Sequence, residues 1–123
     1  MILGAVTDRL ELRIPLRVLG PQGSAVATEA AIDTGYSEEL ALPHEMVDAL
    51  GLAYLETRAL TLADGTRAGM DVYECAVVWD GVERRVRAHC TGDTVLVGVA
   101  LLIGYRVRFD VIHNGPVLVT ELP

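Results

Sequence analysis

Short segments in which apolar residues alternate with polar ones, separated by glycine-containing turns, run along almost the whole of this chain. That pattern points to a β-rich fold. Leu10, Leu12, Ile14, Leu16 and Val18 take every second position over nine residues, the period of a strand with one face in a core and the other in water. The turn Gly20-Pro21-Gln22-Gly23 predicts a return strand over Ala25 to Ile32. Thr57 to Leu62, Met70 to Trp79, Val82 to Cys90, Tyr105 to Val111 and Pro116 to Glu121 repeat the pattern at short intervals, as sandwiches and barrels do. Asp64-Gly65, Asp80-Gly81 and Asn114-Gly115 are dipeptides favoured by two-residue hairpins, because both positions tolerate positive φ. Two segments depart from the strand period. Pro43 to Leu50 sets Met46, Val47 and Leu50 at helical spacing between a starting Pro and a terminating Gly51, which predicts one short helix. Val99 to Ile103, between Gly98 and Gly104, has room for little more than a turn.

A chain of 123 residues fits one domain, here residues 1–123, and its 51% apolar content supplies a core. The formal charge of −7 argues against a nucleic-acid partner, since phosphate binding relies on clustered Lys and Arg. Arg84, Arg85 and Arg87 read as a solvated strand face. Met1 to Asp8 lacks the basic start and apolar core of an export signal, and no apolar run is long enough for a membrane helix. The expectation is a soluble, cytoplasmic protein without membrane association. Cys75 and Cys90 lack the spacing of a redox or zinc pair and read as buried free thiols. His89 and Cys90 are adjacent and so face opposite ways on a strand, while His44 and His113 have no ligand spacing around them; no metal site is expected.

The chemistry-bearing segment is Ala30-Ala31-Ile32-Asp33-Thr34-Gly35-Tyr36. It puts an acid and a hydroxyl directly after an apolar strand, with a glycine free to turn sharply. An Asp-Thr-Gly tripeptide is a weak signal alone, and an ordinary strand-end turn capped by Asp33 would look the same. The apolar context adds weight, because a carboxylate drawn into it is costly unless paired or used.

In order along the chain stand a hairpin leading into Ile32-Asp33-Thr34-Gly35, the strand and helix start Leu40-Ala41-Leu42-Pro43, a hairpin tipped by Ala63-Asp64-Gly65-Thr66, and Val95-Leu96-Val97-Gly98 followed by Ala100-Leu101-Leu102. This set, spanning about residues 8 to 121, resembles the retropepsin-like (retroviral-type) aspartic peptidases, in particular their small single-domain bacterial relatives. The resemblance implies an all-β, closed acid-protease barrel with one short helix, of six to eight strands. It also implies an aspartic endopeptidase acting on extended peptide or protein substrates without a metal or other cofactor. Two carboxylates must share such a site, and like charges so close cannot both ionise. With one Asp-Thr-Gly per chain, the resemblance implies a homodimer in which each copy contributes Asp33. Thr34 would then brace the two loops across the twofold axis, and Gly35 would admit the substrate backbone. Gly98 would pack beneath the active-site turn, with Val97 and Leu101 as core. Ala63, Asp64, Gly65 and Thr66 would form the tip of a substrate-covering flap; a plain hairpin is the alternative. Val117 to Leu122 would offer a terminal strand for an interlaced dimer.

The sequence departs from that family at matched positions. Val99 and Ala100 stand where retroviral members have Arg and Asn, and Ser37 stands where they have the Asp that pairs with that Arg. The charge is lost on both sides, so neither is left unpaired. Glu38 and Glu39 read as a solvated acidic patch, and the five aromatics Tyr36, Tyr54, Tyr73, Trp79 and Tyr105 as scattered core or rim residues. Two alternatives stay open: a dimeric peptide- or protein-binding module that keeps the fold without turnover, and an unrelated monomeric barrel for a small ligand.

Overall fold

The alternation read in the sequence is burial in the structure: Ile14, Leu16 and Val18 lie inside while Pro15 and Arg17 face solvent. The computed structural model describes residues 1–123. In chain order its elements are β1 (Ile2–Val6), β2 (Leu12–Leu19), β3 (Ala25–Ile32), β4 (Leu40–Leu42), α1 (His44–Leu50), β5 (Ala53–Thr61), β6 (Arg67–Trp79), β7 (Val82–Cys90), β8 (Leu96–Val97), β9 (Tyr105–Phe109) and β10 (Pro116–Glu121). Six strands close a barrel in the order β6-β7-β4-β8-β3-β2, and Arg17–Leu19 of β2 pair back onto Ala76–Val78 of β6. The β4–β7 and β3–β8 pairs are parallel; the other pairings are antiparallel. Barrel closure removes sheet edges that would otherwise stand open.

Trp79, Ile14, Val18, Leu40, Leu42, Val77, Val97 and Leu101 fill the interior, each less than 2% exposed. Helix α1 adds Val47 and Leu50 to this core and ends where Gly51 turns left-handed at φ 62°, donating its N–H to Asp48. The helix begins one residue later than expected, with Pro43 as its extended cap.

Four strands lie outside the closed ring. β5 pairs with the distal part of β6 to form a long, mostly exposed hairpin. On the other side β1, β10 and β9 extend the sheet from β2. The closed ring of six strands falls within the six to eight expected, and these four bring the total to ten. β1 went unread because its apolar residues do not alternate with polar ones. Several boundaries also move. Leu10 sits at φ 61° in a turn whose N–H bonds Thr7, so the first long strand starts at Leu12. β5 starts at Ala53 and carries a bulge between Tyr54 and Glu56, so its pattern slips out of phase.

Turn chemistry separates the three expected two-residue hairpins. Asp80-Gly81 is one, with both residues at positive φ between paired Trp79 and Val82. At Asp64-Gly65 only the glycine is left-handed, and Leu62 N–H bonds Thr66 C=O across a three-residue loop. At Asn114-Gly115 only Asn114 is left-handed, and its N–H bonds Val6 C=O. The strand expected to reach Val111 therefore stops at Phe109, leaving a six-residue loop, 110–115. Val99 to Gly104 forms successive turns rather than a helix.

β10 has no free edge. It pairs with β1 through Val117↔Gly4 and with β9 through Val117↔Phe109. Val117 to Leu122 is thus committed within its own chain, which corrects the expectation of a terminal strand available to a partner.

Candidate active site

Asp33 follows β3 directly, and its N–H donates to Val97 C=O at 2.9 Å, tying the turn to β8. Its Oδ1 accepts from Gly35 N–H at 2.9 Å, while its carbonyl accepts from Tyr36 N–H at 3.1 Å. These local bonds close the Asp33-Thr34-Gly35-Tyr36 turn around the carboxylate. Asp33 is half-buried; Thr34 and Gly35 are exposed. An alanine methyl at position 35 would meet only Asp33 Oδ1, at 3.3 Å. The turn therefore presents an acid, a hydroxyl and an uncovered stretch of backbone at the surface of one chain.

Gly98 lies beneath this turn. A Cβ there would come within 2.0 Å of Glu38 O and 2.7 Å of Tyr36 O, so no side chain fits. Three backbone bonds cross the same seam: Gly98 N–H to Glu39 O at 3.0 Å, Val99 N–H to Tyr36 O at 2.9 Å and Ala100 N–H to Glu38 O at 3.3 Å. The aliphatic side chains at 99 and 100 supply no polar contact, yet their backbone N–H groups do. Val97 and Leu101 are fully buried on either side.

The 63–66 hairpin tip is exposed throughout. Within it Asp64 Oδ1 accepts from Thr66 N–H at 3.0 Å and from Thr66 Oγ1 at 2.6 Å. These bonds hold the Asp64 carboxyl below the ordinary range, the Thr66 hydroxyl contributing most.

Residues that sequence reasoning set aside join the loop to this hairpin. Glu38, expected in a solvated patch, is half-buried and pairs with Arg58 of β5 at 3.4 Å. Arg58 also holds Glu56 at 2.9 Å, which lowers the Glu56 carboxyl and raises the guanidinium. Glu39 accepts from Arg87 N–H at 3.0 Å, stitching the loop to β7. Tyr36 is half-buried, its Oη donating to Leu40 O at 3.3 Å. Burial, with Glu38 nearby, pushes its phenol up to about 12. Its ring meets His89 edge-on, centroids 6.2 Å apart. Spacing alone could not reveal the Glu38–Arg58, Glu39–Arg87 and Tyr36–His89 contacts, because each joins elements far apart in sequence.

The arginine and cysteine expectations also need adjustment. Arg85 and Arg87 are exposed, but Arg84 is half-buried and donates to Leu101 O at 3.3 Å. Cys75 is buried as expected, whereas Cys90 is half-buried, its Sγ 3.9 Å from His44 Nδ1. No helix is long and apolar enough to cross a membrane.

A six-stranded closed barrel with an Asp-Thr-Gly turn at the end of β3 and a glycine packed beneath it defines the acid-protease architecture. Among solved structures, the crystal structure of a retropepsin-like aspartic protease from Rickettsia conorii matches with a TM-score of 0.59 and 21% identity. The match covers 99% of this chain and 91% of that one. This chain has the retropepsin-like fold. No family model and no curated protein matches its sequence.

Proposed function

We propose that this chain is an aspartic endopeptidase whose catalytic dyad is formed by Asp33 from each of two copies. The observation that carries the proposal is the Asp33 turn, braced by Val97 O, closed by Gly35 N–H and packed on a position where only glycine fits. One such turn per chain is half a site, and a twofold axis beside it supplies the other half. In the dyad one proton is held between two carboxylates. The ionised Asp33 takes a proton from water as it attacks the scissile carbonyl. The protonated Asp33 of the other copy polarises that carbonyl, then helps to protonate the leaving amine. Thr34 braces the two turns, exposed Gly35 admits extended substrate backbone, and the Ala63–Thr66 hairpin covers the substrate.

A second reading, a peptide- or protein-binding module without turnover, is favoured by one observation. Val99 and Ala100 bring no polar side chain to the turn, so the support from that segment is entirely backbone.

Cleavage of a mixed peptide library between pH 3 and 8, followed by mass spectrometry for wild type and Asp33→Asn, separates the two. Bonds cut by wild type alone support the peptidase. A folded wild-type dimer that cuts nothing beyond the background of the Asp33→Asn variant leaves the binding module. Sedimentation as a monomer at every concentration removes the shared dyad altogether.

A further inference from the structure

β7 carries one buried polar side chain that the proposed catalytic roles leave unused. His89 is 1% exposed, and neither ring nitrogen has a hydrogen-bond partner. In the ladder it lies opposite Ala41 of β4 and Val72 of β6, and Val72 lies opposite Glu56 of β5. Tyr36 packs against the ring at 90°. The Leu40 carbonyl lies close to the imidazole without bonding geometry, and it already accepts from Tyr36 Oη. The charged and titratable neighbours are Tyr36 and Glu38 from the loop, Glu56 and Arg58 from β5, and Arg87 from β7. Arg58 engages both acids, at 3.4 and 2.9 Å. Glu38 and Glu56 favour an imidazolium, but both are shared with Arg58 and neither hydrogen-bonds the ring.

We propose that uncharged His89 is a positioning residue: packed against Tyr36, it keeps the 33–40 loop seated, and on protonation it releases that loop, giving the site an acid limit. An imidazolium needs acceptors for two N–H groups. This environment offers at most one, the Leu40 carbonyl that already accepts from Tyr36 Oη, and Arg58 and Arg87 would repel the new charge. A buried charge short of hydrogen-bond partners is expensive enough that the cover moves instead. On one side the cover is Ala41 and Val72, both fully buried in the sheet. On the other it is half-buried Tyr36 in a surface loop, so the loop yields.

The sign follows from linkage. With the loop open, the imidazole is hydrated and titrates near its usual ~6.5. With the loop closed, burial holds it below that range. The open form therefore binds more protons at mildly acidic pH. Opening should rise about tenfold for each pH unit below ~6.5, until the closed form itself protonates.

The proposal rests on assigning the Asp33 loop to catalysis, but its test reads the loop and not turnover, so the two can fail separately. The Gly98, Val99 and Ala100 amides report directly, because their acceptors are the carbonyls of residues 39, 36 and 38. Their hydrogen-exchange protection factors would be measured on the full chain between pH 5 and 7.5, above the carboxylate range, for wild type, His89→Leu and His89→Gln. In wild type, protection should fall about tenfold per pH unit below ~6.5, while β9–β10 ladder amides hold steady. Both variants should abolish the pH step. A flat wild-type profile, or the same step in either folded variant, overturns the proposal. Should neither variant fold, the wild-type His89 imidazole resonance decides. A midpoint at or above ~6.5 overturns it, and a lower one that tracks the loss of loop protection sustains it.

Discussion

Replacing Gly98 by alanine tests the seam under the Asp33 turn. The new methyl would lie 2.0 Å from Glu38 O, and real contacts of this kind do not come under 3.0 Å, so that carbonyl must retreat by at least about 1 Å. The carbonyls that must move are also the acceptors for Val99 and Ala100, and Gly98 itself donates to Glu39. Losing three such bonds at about 1 kcal/mol each costs ~3 kcal/mol, at the upper end of ordinary overpacking. An unfolding entropy of about 2.1 cal/mol/K per residue, over a chain of 123 residues, converts this to a melting point lower by roughly 12 °C. The assay is thermal unfolding followed by circular dichroism at fixed protein concentration, since dimerisation would make the midpoint concentration-dependent. Gly35→Ala is the contrast, because its methyl meets only Asp33 Oδ1 at 3.3 Å. It should melt within about 3 °C of wild type while lowering peptide cleavage by crowding the carboxylate. Gly98→Ala melting within about 4 °C of wild type would refute the tight seam.

Arg58→Ala should let the Glu56 carboxyl rise toward its ordinary value, because the Arg58 hydrogen bond is the main cause of its depression; a carboxyl titration by NMR that shows no change would remove that contact. Burial pushes the Cys75 thiol up to about 12 and raises Cys90, which is only half-buried. Iodoacetamide at pH 8 should therefore alkylate Cys90 first and Cys75 only on unfolding, and equal rates in the native protein would contradict the burial. Deleting residues 116–123 should unfold the chain and not merely free a monomer, because it removes fully buried Val117 and Val119 from between β1 and β9. The two side chains are worth about 1.5–3 kcal/mol each, a large share of the ~5–15 kcal/mol that holds a domain. Native-like circular dichroism from the truncated chain would show that β10 is dispensable.

β2, β6 and β7 were legible because each sets a buried face against a wetter one and so carries a two-residue period, whereas β4 is buried throughout and β8 is only two residues long. β1 and the start of β5 were not legible, for different reasons. In β1 apolar Ile2, Leu3, Ala5 and Val6 flank Gly4 without alternation, and half-burial leaves the pattern uncommitted. In β5 a bulge shifts the phase, and almost every residue is exposed, so composition carries no record of a face. Asp33, Thr34, Gly35 and Gly98 were singled out because a short motif and a glycine carry local information. Glu38, Arg58 and His89 take their setting from the fold. Nothing in the local sequence of Arg58 tells that its partner lies twenty residues upstream, or that His89 lies under Tyr36.

The departures at Ser37, Val99 and Ala100 look like lost support when only side chains are compared. In the folded chain the connection they would have made runs through the backbone, with three N–H groups of 98–100 bonded to the carbonyls of 36, 38 and 39. Such a seam tolerates any small side chain at 99 and 100 but none at 98, where the backbones touch. Charge reappears one residue along the loop: Glu38 and Glu39 reach Arg58 on β5 and the backbone of Arg87 on β7. The side-chain ties thus run from the Asp33 loop to the hairpin and to the sheet around His89, while the backbone alone joins loop to loop. Movement at the base of the hairpin and seating of the Asp33 turn become coupled through Arg58, Glu38 and Tyr36. A loop held this way can be released by a single proton on the ring beneath it, whereas one clamped by a buried ion pair would answer first to the titration of its acid.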